Sequence, residues 1–163
     1  MQILFLHGLE SGPHGSKYHA LVNANHQVIA PDLRGCDLVG RVKMVTPFIT
    51  SDIVVVGSSY GGITALLAIQ ASGVLPKGLV LCAPALARAP EVNLTIQTLP
   101  YIECPTYVIH GMLDDVCPLE HSAGYVARRQ GGMPFCRMVL KASGNHRLDS
   151  ALTDLVECVG KLL

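Results

Sequence analysis

The stretch VVVGSSYGG, residues 54–62, joins a run of valines to two serines, a tyrosine and three glycines. A short run of β-branched residues is typical of a strand that is buried on both faces of a parallel sheet. Residues 57–61, GSSYG, match the pattern G-x-S-x-G, in which a sharp turn from strand to helix lifts a serine above the sheet edge. The spacing of the glycines selects Ser59 and not Ser58. The stretch therefore predicts a buried strand that presents a nucleophilic serine.

The same residues allow two other readings. Glycine and serine also form simple tight turns, and glycine-rich loops before a helix bind phosphate groups. The Walker lysine and the dinucleotide pattern G-x-G-x-x-G are both absent from the sequence. A helix over 63–71 is predicted to follow the serine, because Gly73 and Pro76 lie where a helix ends. The choice between the readings depends on the rest of the chain.

Short apolar runs that alternate with longer amphipathic segments predict a parallel sheet with helices on both faces. The clearest helical pattern covers 148–162, where apolar residues recur every three or four positions. Another helix is predicted to begin at Pro118 and to end at Gly131 and Gly132. The 163 residues suit one domain, residues 1–163, of the three-layer α/β class. The six predicted strands are 2–6, 27–30, 53–56, 78–82, 106–109 and 135–140.

Composition argues against several classes of function. Half of the residues are hydrophobic and 15% are charged, with 12 Lys and Arg against 12 Asp and Glu. This balance gives no basis for binding nucleic acid or an anionic membrane surface. No run approaches the roughly 18 apolar residues of a membrane span, and no basic leader follows Met1, so the predicted location is cytoplasmic. The six scattered cysteines are expected to be free thiols.

Loops that follow separate parallel strands meet at one edge of the sheet, so the residues just after each strand are candidates for a shared site. The first strand runs into an HG turn, and the amide of the next residue, Leu9, is predicted to bind a developing oxyanion. The amide of Tyr60 is predicted to act with it. His7 is expected to hydrogen-bond neighbouring loops and not to transfer protons. His14 and His19 lack the spacing of metal ligands, so no metal site is predicted.

A serine hydroxyl needs a base to take its proton and a carboxylate to orient that base. His146 follows the last strand and precedes the last helix, at the edge where Ser59 is expected to emerge. The fifth strand runs into IHGMLDDVCP, which places Asp114 and Asp115 in a loop at the same edge. The predicted catalytic residues are therefore Ser59, His146 and one of these two aspartates.

The motifs LHG, PDLRG, GSSYGG, HGMLDDVCP and GNH together resemble the α/β-hydrolase superfamily over nearly the whole chain. Within it, the short length and the opening LFLHGLESGPHGSK are similar to small single-domain bacterial esterases of the YqiA type. The resemblance implies a triad in the chain order Ser59, Asp114, His146. It favours Asp114 over Asp115, because the superfamily places the acid three residues after the glycine of this loop pattern. It also implies a minimal fold with little or no lid.

The segment between the fourth and fifth strands, residues 84–103, offers the room for a short lid. Its apolar residues suit the wall of an acyl pocket, and they equally suit a helix packed against the sheet. Both readings stay open at this point.

Taken together, these features predict a serine hydrolase that cleaves carboxylic esters or acyl thioesters through an acyl-enzyme intermediate and without a cofactor. Its expected partner is a small-molecule acyl ester or thioester. Two alternatives remain. The same triad also serves amidases, peptidases and perhydrolases, and a binding protein could retain the fold without catalysis.

Overall fold

The computed structural model describes residues 2–128 and 132–163 of the chain. Its described residues form one sheet of six strands in the order β2-β1-β3-β4-β5-β6, and every neighbouring pair is parallel. Each strand lies within two residues of its predicted bounds, so the predicted six-stranded parallel sheet is confirmed. The strands are β1 Gln2–Leu6, β2 Gln27–Ile29, β3 Val54–Ser58, β4 Gly78–Cys82, β5 Thr106–Gly111 and β6 Cys136–Lys141.

Helices cover both faces of the sheet, as the three-layer α/β class requires. Side chains of α2, α3 and α4 belong to one hydrophobic cluster, whereas those of α1 and α5 belong to the other. No helix in the described ranges has the length and the apolar run needed to cross a bilayer. The α-helices are α1 Ser16–Asn23, α2 Leu38–Val45, α3 Tyr60–Ser72, α4 Leu119–Ala127 and α5 Leu152–Gly160.

The central position of β3 in the sheet explains why the sequence of this strand is continuously apolar. Successive side chains of a strand point to opposite faces, so Val55 packs into the cluster under α3 while Val54 and Val56 pack into the cluster under α5. All three valines are fully buried. Because the strands are parallel, the residues after β1, β3, β5 and β6 emerge at the same edge, where the site described below lies.

Some predicted helix bounds differ from those in the structure. Helix α3 begins at Tyr60, three residues before the predicted start, because the chain turns into the helix directly after Ser59. Its predicted end is confirmed by Gly73, which caps it in the left-handed conformation with φ 67°. Helix α4 ends at Ala127, earlier than predicted, with Pro118 as its N-cap. The predicted terminator Gly131 lies outside the described residues.

Residues 84–103 combine features of both readings that the sequence left open. They form two short 3-10 helices, Leu86–Val92 and Ile96–Thr98, and no α-helix. The segment packs on the sheet through buried Leu86 and Leu99. Its first residues also line the cavity above Ser59. The segment is therefore part of the core and part of the pocket wall, consistent with a fold that carries little or no lid.

Candidate active site

Ser59 occupies the turn between β3 and α3 in a backbone conformation that L-residues rarely adopt, with φ 54° and ψ −116°. Such strain persists only where surrounding interactions hold it. Here the Ser59 amide donates to the carbonyl of Cys82 at 2.9 Å, and the Ser59 carbonyl accepts from the amides of Gly62 and Ala85, each at 2.9 Å. The turn is thus braced by β4, by α3 and by the loop after β4.

The glycines on either side of Ser59 leave no space for a side chain. A Cβ atom on Gly57 would lie 2.5 Å from the carbonyl oxygen of Gly61 and 2.7 Å from Cα of Gly62. A Cβ atom on Gly61 would overlap the carbonyl group of Leu6 at the end of β1. The spacing G-x-S-x-G therefore reflects two close backbone contacts that only glycine allows.

The structure brings the predicted base and acid to Ser59. His146 Nε2 lies 3.0 Å from the hydroxyl oxygen of Ser59, and His146 Nδ1 lies 2.9 Å from Oδ2 of Asp114. The carboxylate can only accept, so Nδ1 carries the proton and leaves Nε2 free to accept the serine proton. Asp115 is exposed to solvent, and Asp114 is the aspartate that bonds the imidazole.

Backbone contacts between two loops hold Asp114 and His146 together. The amide of Leu113 donates to the carbonyl of Gly144 at 2.9 Å, and the amide of Met112 donates to Lys141 at the end of β6, also at 2.9 Å. A Cβ atom on Gly111 would overlap the carbonyl group of Gly144. The loop that carries Asp114 is therefore packed directly against the loop that carries His146.

The environment of Asp114 favours its ionised form. Burial alone would raise the pKa of its carboxyl group, but hydrogen bonds from His146 and from the amides of Cys117 and Val116 outweigh burial and lower the pKa below its usual value. The two amides donate to Oδ1 at 2.8 and 2.9 Å. Asp114 is consequently a carboxylate at neutral pH, as an acid that orients a histidine must be.

His110 lies beside this cluster, and its sequence pattern alone indicates no role for it. It lies on β5, is fully buried, and places Nε2 at 3.2 Å from Oδ2 of Asp114 and 3.0 Å from the carbonyl oxygen of Cys117. The Cys117 carbonyl can only accept a hydrogen bond, so Nε2 carries a proton. Nδ1 lies 2.8 Å from the hydroxyl of Ser122 on α4. His110 therefore donates to the carbonyl of Cys117, and its ring lies against the buried side of the Asp114 carboxylate.

Replacing His110 by leucine is expected to lower kcat for an ester substrate by about 10-fold, with KM nearly unchanged, because the loop that carries Asp114 loses the hydrogen bond from His110 Nε2 to the carbonyl of Cys117. His110→Gln, which can keep a donor near the Nε2 position, is expected to recover most of the rate. Steady-state kinetics on both variants, with thermal melts as a folding check, test this. A fully active, folded His110→Leu protein would contradict it.

The turn after β1 lies against the serine. A Cβ atom on Gly8 would be 3.4 Å from Cβ of Ser59. In the described part of the chain, the amides of Leu9 and Tyr60 donate no hydrogen bond to another residue. Buried His7 braces the turn, with Nδ1 at 2.7 Å from the carbonyl of Gly8 and Nε2 accepting from the chain after β2. Burial chiefly lowers the pKa of His7, which keeps the ring neutral.

A cavity of about 710 Å³ opens above Ser59 and His146. Its wall contains both apolar residues, such as Leu86 and Val116, and charged residues, such as Arg88. Within residues 2–128 and 132–163, no group of three or more His, Cys, Asp or Glu side chains is arranged to hold a metal ion. The cavity is large enough for a small organic substrate whose reacting atom reaches the serine.

Comparisons with known proteins agree on the fold. An alpha/beta-superfamily protein from Xanthomonas campestris pv. campestris superposes with a TM-score of 0.81 at 20% identity, covering 99% of this chain and 96% of its own. Est1E from Butyrivibrio proteoclasticus, also solved with ferulic acid bound, superposes with a TM-score of 0.74 at 18% identity, covering 99% of this chain and 87% of its own. A thermophilic esterase from Thermogutta terrifontis superposes with a TM-score of 0.70 at 17% identity, covering 99% of this chain and 90% of its own.

Sequence comparison identifies the family. A search of curated proteins found no match to this chain. The model of a family described as "Alpha/beta hydrolase family" matches residues 3–136, which is most of the sequence. The narrower resemblance to esterases of the YqiA type stays a prediction. With the sheet order, the turn at Ser59 and this match in agreement, the chain belongs to the alpha/beta hydrolase family.

Proposed function

We propose that this protein is a serine hydrolase that cleaves carboxylic esters or acyl thioesters, acting as a single domain over residues 1–163. The observation that carries the proposal is the unbroken line of hydrogen bonds from Ser59 through His146 to Asp114, at 3.0 and 2.9 Å. Nucleophile, base and orienting acid have this mutual geometry in serine hydrolases of several folds. The family supports hydrolase chemistry in general.

In the proposed mechanism, the hydroxyl oxygen of Ser59 attacks the substrate carbonyl carbon while His146 Nε2 takes the serine proton. Asp114 stabilises the resulting imidazolium and keeps it oriented. The tetrahedral intermediate then collapses, its bond to the alcohol or thiol breaks, and His146 returns the proton to that leaving group. Water, activated by the same histidine, hydrolyses the acyl-serine ester and frees the acid.

The oxyanion that forms during both steps would be held by the amides of Leu9 and Tyr60. These amides have no other acceptor among the described residues, and Gly8 brings the first of them next to Ser59. Tyr60 is also the first residue of α3, so the positive end of that helix faces the developing charge. Donors fixed in advance in this way stabilise the transition state more than the ground state.

A competing nucleophile is present in the cavity but is poorly suited to the reaction. Cys117 lines the cavity and is 5% exposed. Burial, with a smaller contribution from the charge of Asp114, raises the pKa of its thiol to about 11. The thiol therefore stays protonated at neutral pH and is a weak nucleophile. This supports Ser59 as the residue that is acylated.

Ester substrates are supported by two features. The cavity has a wall of mixed apolar and polar side chains, which suits a small ester that has both an apolar acyl chain and a polar carbonyl group. Two proteins of similar fold are an esterase from Thermogutta terrifontis and Est1E, which binds ferulic acid. A panel of p-nitrophenyl esters of increasing acyl length, with a matched anilide, would define the acyl preference and separate an esterase from an amidase.

A fluorophosphonate probe tests the proposal directly, because it phosphonylates only an activated serine. We expect one label per chain, on the peptide that contains Ser59, and no label on Ser59→Ala. Ser51→Ala is a matched control, since Ser51 is exposed and precedes β3 at the far end of the strand. An unlabelled native protein that also hydrolyses no ester would favour a silent binding protein, and equal labelling of Ser59→Ala would refute the assignment of the nucleophile.

A further inference from the structure

Arg41 on α2 is a fully buried cation without an acidic partner. It is among the largest side chains with no solvent exposure, and no carboxylate of the described residues lies within 4.0 Å of its guanidinium. Its Nη1 donates to the carbonyl of His7 at 2.8 Å, and its Nη2 donates to the carbonyl of Gly8 at 3.2 Å. Its Nε has no hydrogen-bond partner in the described chain. Buried charges are usually paired, so this arrangement calls for an explanation.

The two carbonyl groups belong to the turn that supplies a proposed oxyanion donor. The carbonyl of Gly8 and the amide of Leu9 are the two ends of one peptide group, and in a trans peptide they point in opposite directions. The carbonyl is held on the buried side by Arg41 Nη2 and by His7 Nδ1. The Leu9 N–H is thereby turned away from Arg41, and Leu9 lines the cavity on the other side.

The same guanidinium also contacts the residue that supplies the other proposed donor. Its central carbon lies 4.8 Å from the centre of the Tyr60 ring, a cation–π distance. The ring is further fixed by its hydroxyl, which donates to Glu91 at 2.5 Å. Burial first, and then this hydrogen bond, raise the pKa of Tyr60 to about 12, so the hydroxyl remains a donor. Arg41 therefore contacts both segments whose amides are proposed to bind the oxyanion.

Stability gives little reason for a charge in this place. Burial lowers the pKa of Arg41, yet an arginine remains protonated at any physiological pH. Taking a cation out of water costs several kcal/mol, and Arg41 has no acidic partner among the described residues to offset that cost. A feature that is costly to bury, and that joins two parts of a candidate site, is better explained by function than by folding.

We propose that Arg41 is a positioning residue for the oxyanion hole: it fixes the Gly8–Leu9 peptide and the Tyr60 segment so that their amides converge on the oxygen that becomes negative. The proposal rests on the proposed hydrolase function. Arg41 itself does not touch the substrate, because its side chain is sealed beneath the turn. Its permanent charge polarises the Gly8 carbonyl and so strengthens the N–H of the same peptide group as a donor.

The test compares Arg41→Met with Lys43→Met, an exposed position on the same helix that loses the same charge. Hydrolysis of p-nitrophenyl butyrate is measured together with inhibition by hexyl trifluoromethyl ketone and by hexyl methyl ketone. The fluorinated ketone forms a serine hemiketal whose oxyanion occupies the hole, whereas the methyl ketone reports the fit of the alkyl chain. A role in folding alone would not separate the two inhibitors.

For Arg41→Met we expect kcat/KM to fall by about 10- to 100-fold, which is less than the rate loss caused by removing an oxyanion donor altogether. The affinity for the trifluoromethyl ketone should fall by the same factor. Affinity for the methyl ketone and all values for Lys43→Met should stay within about twofold, the size of a typical surface effect. If Arg41→Met does not fold, Arg41→Lys is tested in its place, because an ammonium group keeps the charge but lacks the planar guanidinium that bonds both carbonyl groups. The same selective loss is expected there.

The proposal is overturned if the folded variant keeps its rate, or if both ketones lose affinity equally. A loss of rate without any change in binding of the trifluoromethyl ketone would also overturn it. These outcomes differ from a failure of the proposed function, in which the native protein itself neither hydrolyses esters nor reacts with the fluorophosphonate.

Discussion

Asp114→Asn is expected to lower kcat by about 10⁴-fold while the protein stays folded, because the asparagine stabilises the wrong tautomer of His146, the proposed base. All three groups that hydrogen-bond the Asp114 carboxylate among the described residues are donors: the Val116 and Cys117 amides at Oδ1, and His146 Nδ1 at Oδ2. An asparagine offers only one acceptor oxygen. If that oxygen keeps its hydrogen bonds from the two amides, the NH₂ group of the asparagine faces the N–H of the His146 imidazole.

The imidazole of His146 must then rotate or move its proton to Nε2, where it can no longer accept from Ser59. Steady-state kinetics with an ester substrate, together with a thermal melt, measure the effect. Asp115→Asn is the matched control, since it makes the same change of charge on the adjacent exposed residue and is expected to retain activity. A fully active Asp114→Asn beside an inactive Asp115→Asn would show that the acid is the second aspartate.

Much of the fold was predictable because its signals are local. Each strand is a short apolar run between turn residues, and a strand buried on both faces leaves that pattern in the sequence whatever it packs against. The serine turn was predictable for a different reason. The two glycines of G-x-S-x-G are required by backbone contacts within a few residues and by one contact with the end of β1. The proposed triad could be placed because parallel strands end at one edge.

His110 and Arg41 could not be assigned roles in the same way. A histidine within an apolar strand has the same local pattern whether it is a satisfied core residue or a residue that supports the loop carrying Asp114, and its contact with Ser122 links β5 to α4. Arg41 lies on an amphipathic helix, where a charged residue normally faces solvent. Its burial depends on packing between α2 and the turn after β1. The path of residues 84–103 was also open, because short 3-10 turns leave no regular period.

Gly61→Ala is expected to lower the free energy of unfolding by about 3 kcal/mol or more, at or above the upper end of typical overpacking costs. The new methyl group would overlap the carbonyl group of Leu6 and lie close to the carbonyl of His7. Both contacts are backbone, so no side-chain rotation can relieve them. Helix α3 would have to move away from β1, which would also displace Ser59 and the turn that carries Leu9.

Gly124→Ala provides the matched control for this variant. Gly124 lies within α4, and a Cβ atom there would meet nothing within 4 Å. The same substitution should therefore stabilise the protein by roughly 0.5 to 1 kcal/mol through helix propensity. Urea unfolding of both variants gives the two free energies, provided that their m-values agree with that of the native protein. If Gly61→Ala were as stable as the native protein, α3 could not approach β1 as closely as described, and the position of Ser59 above the sheet would need revision.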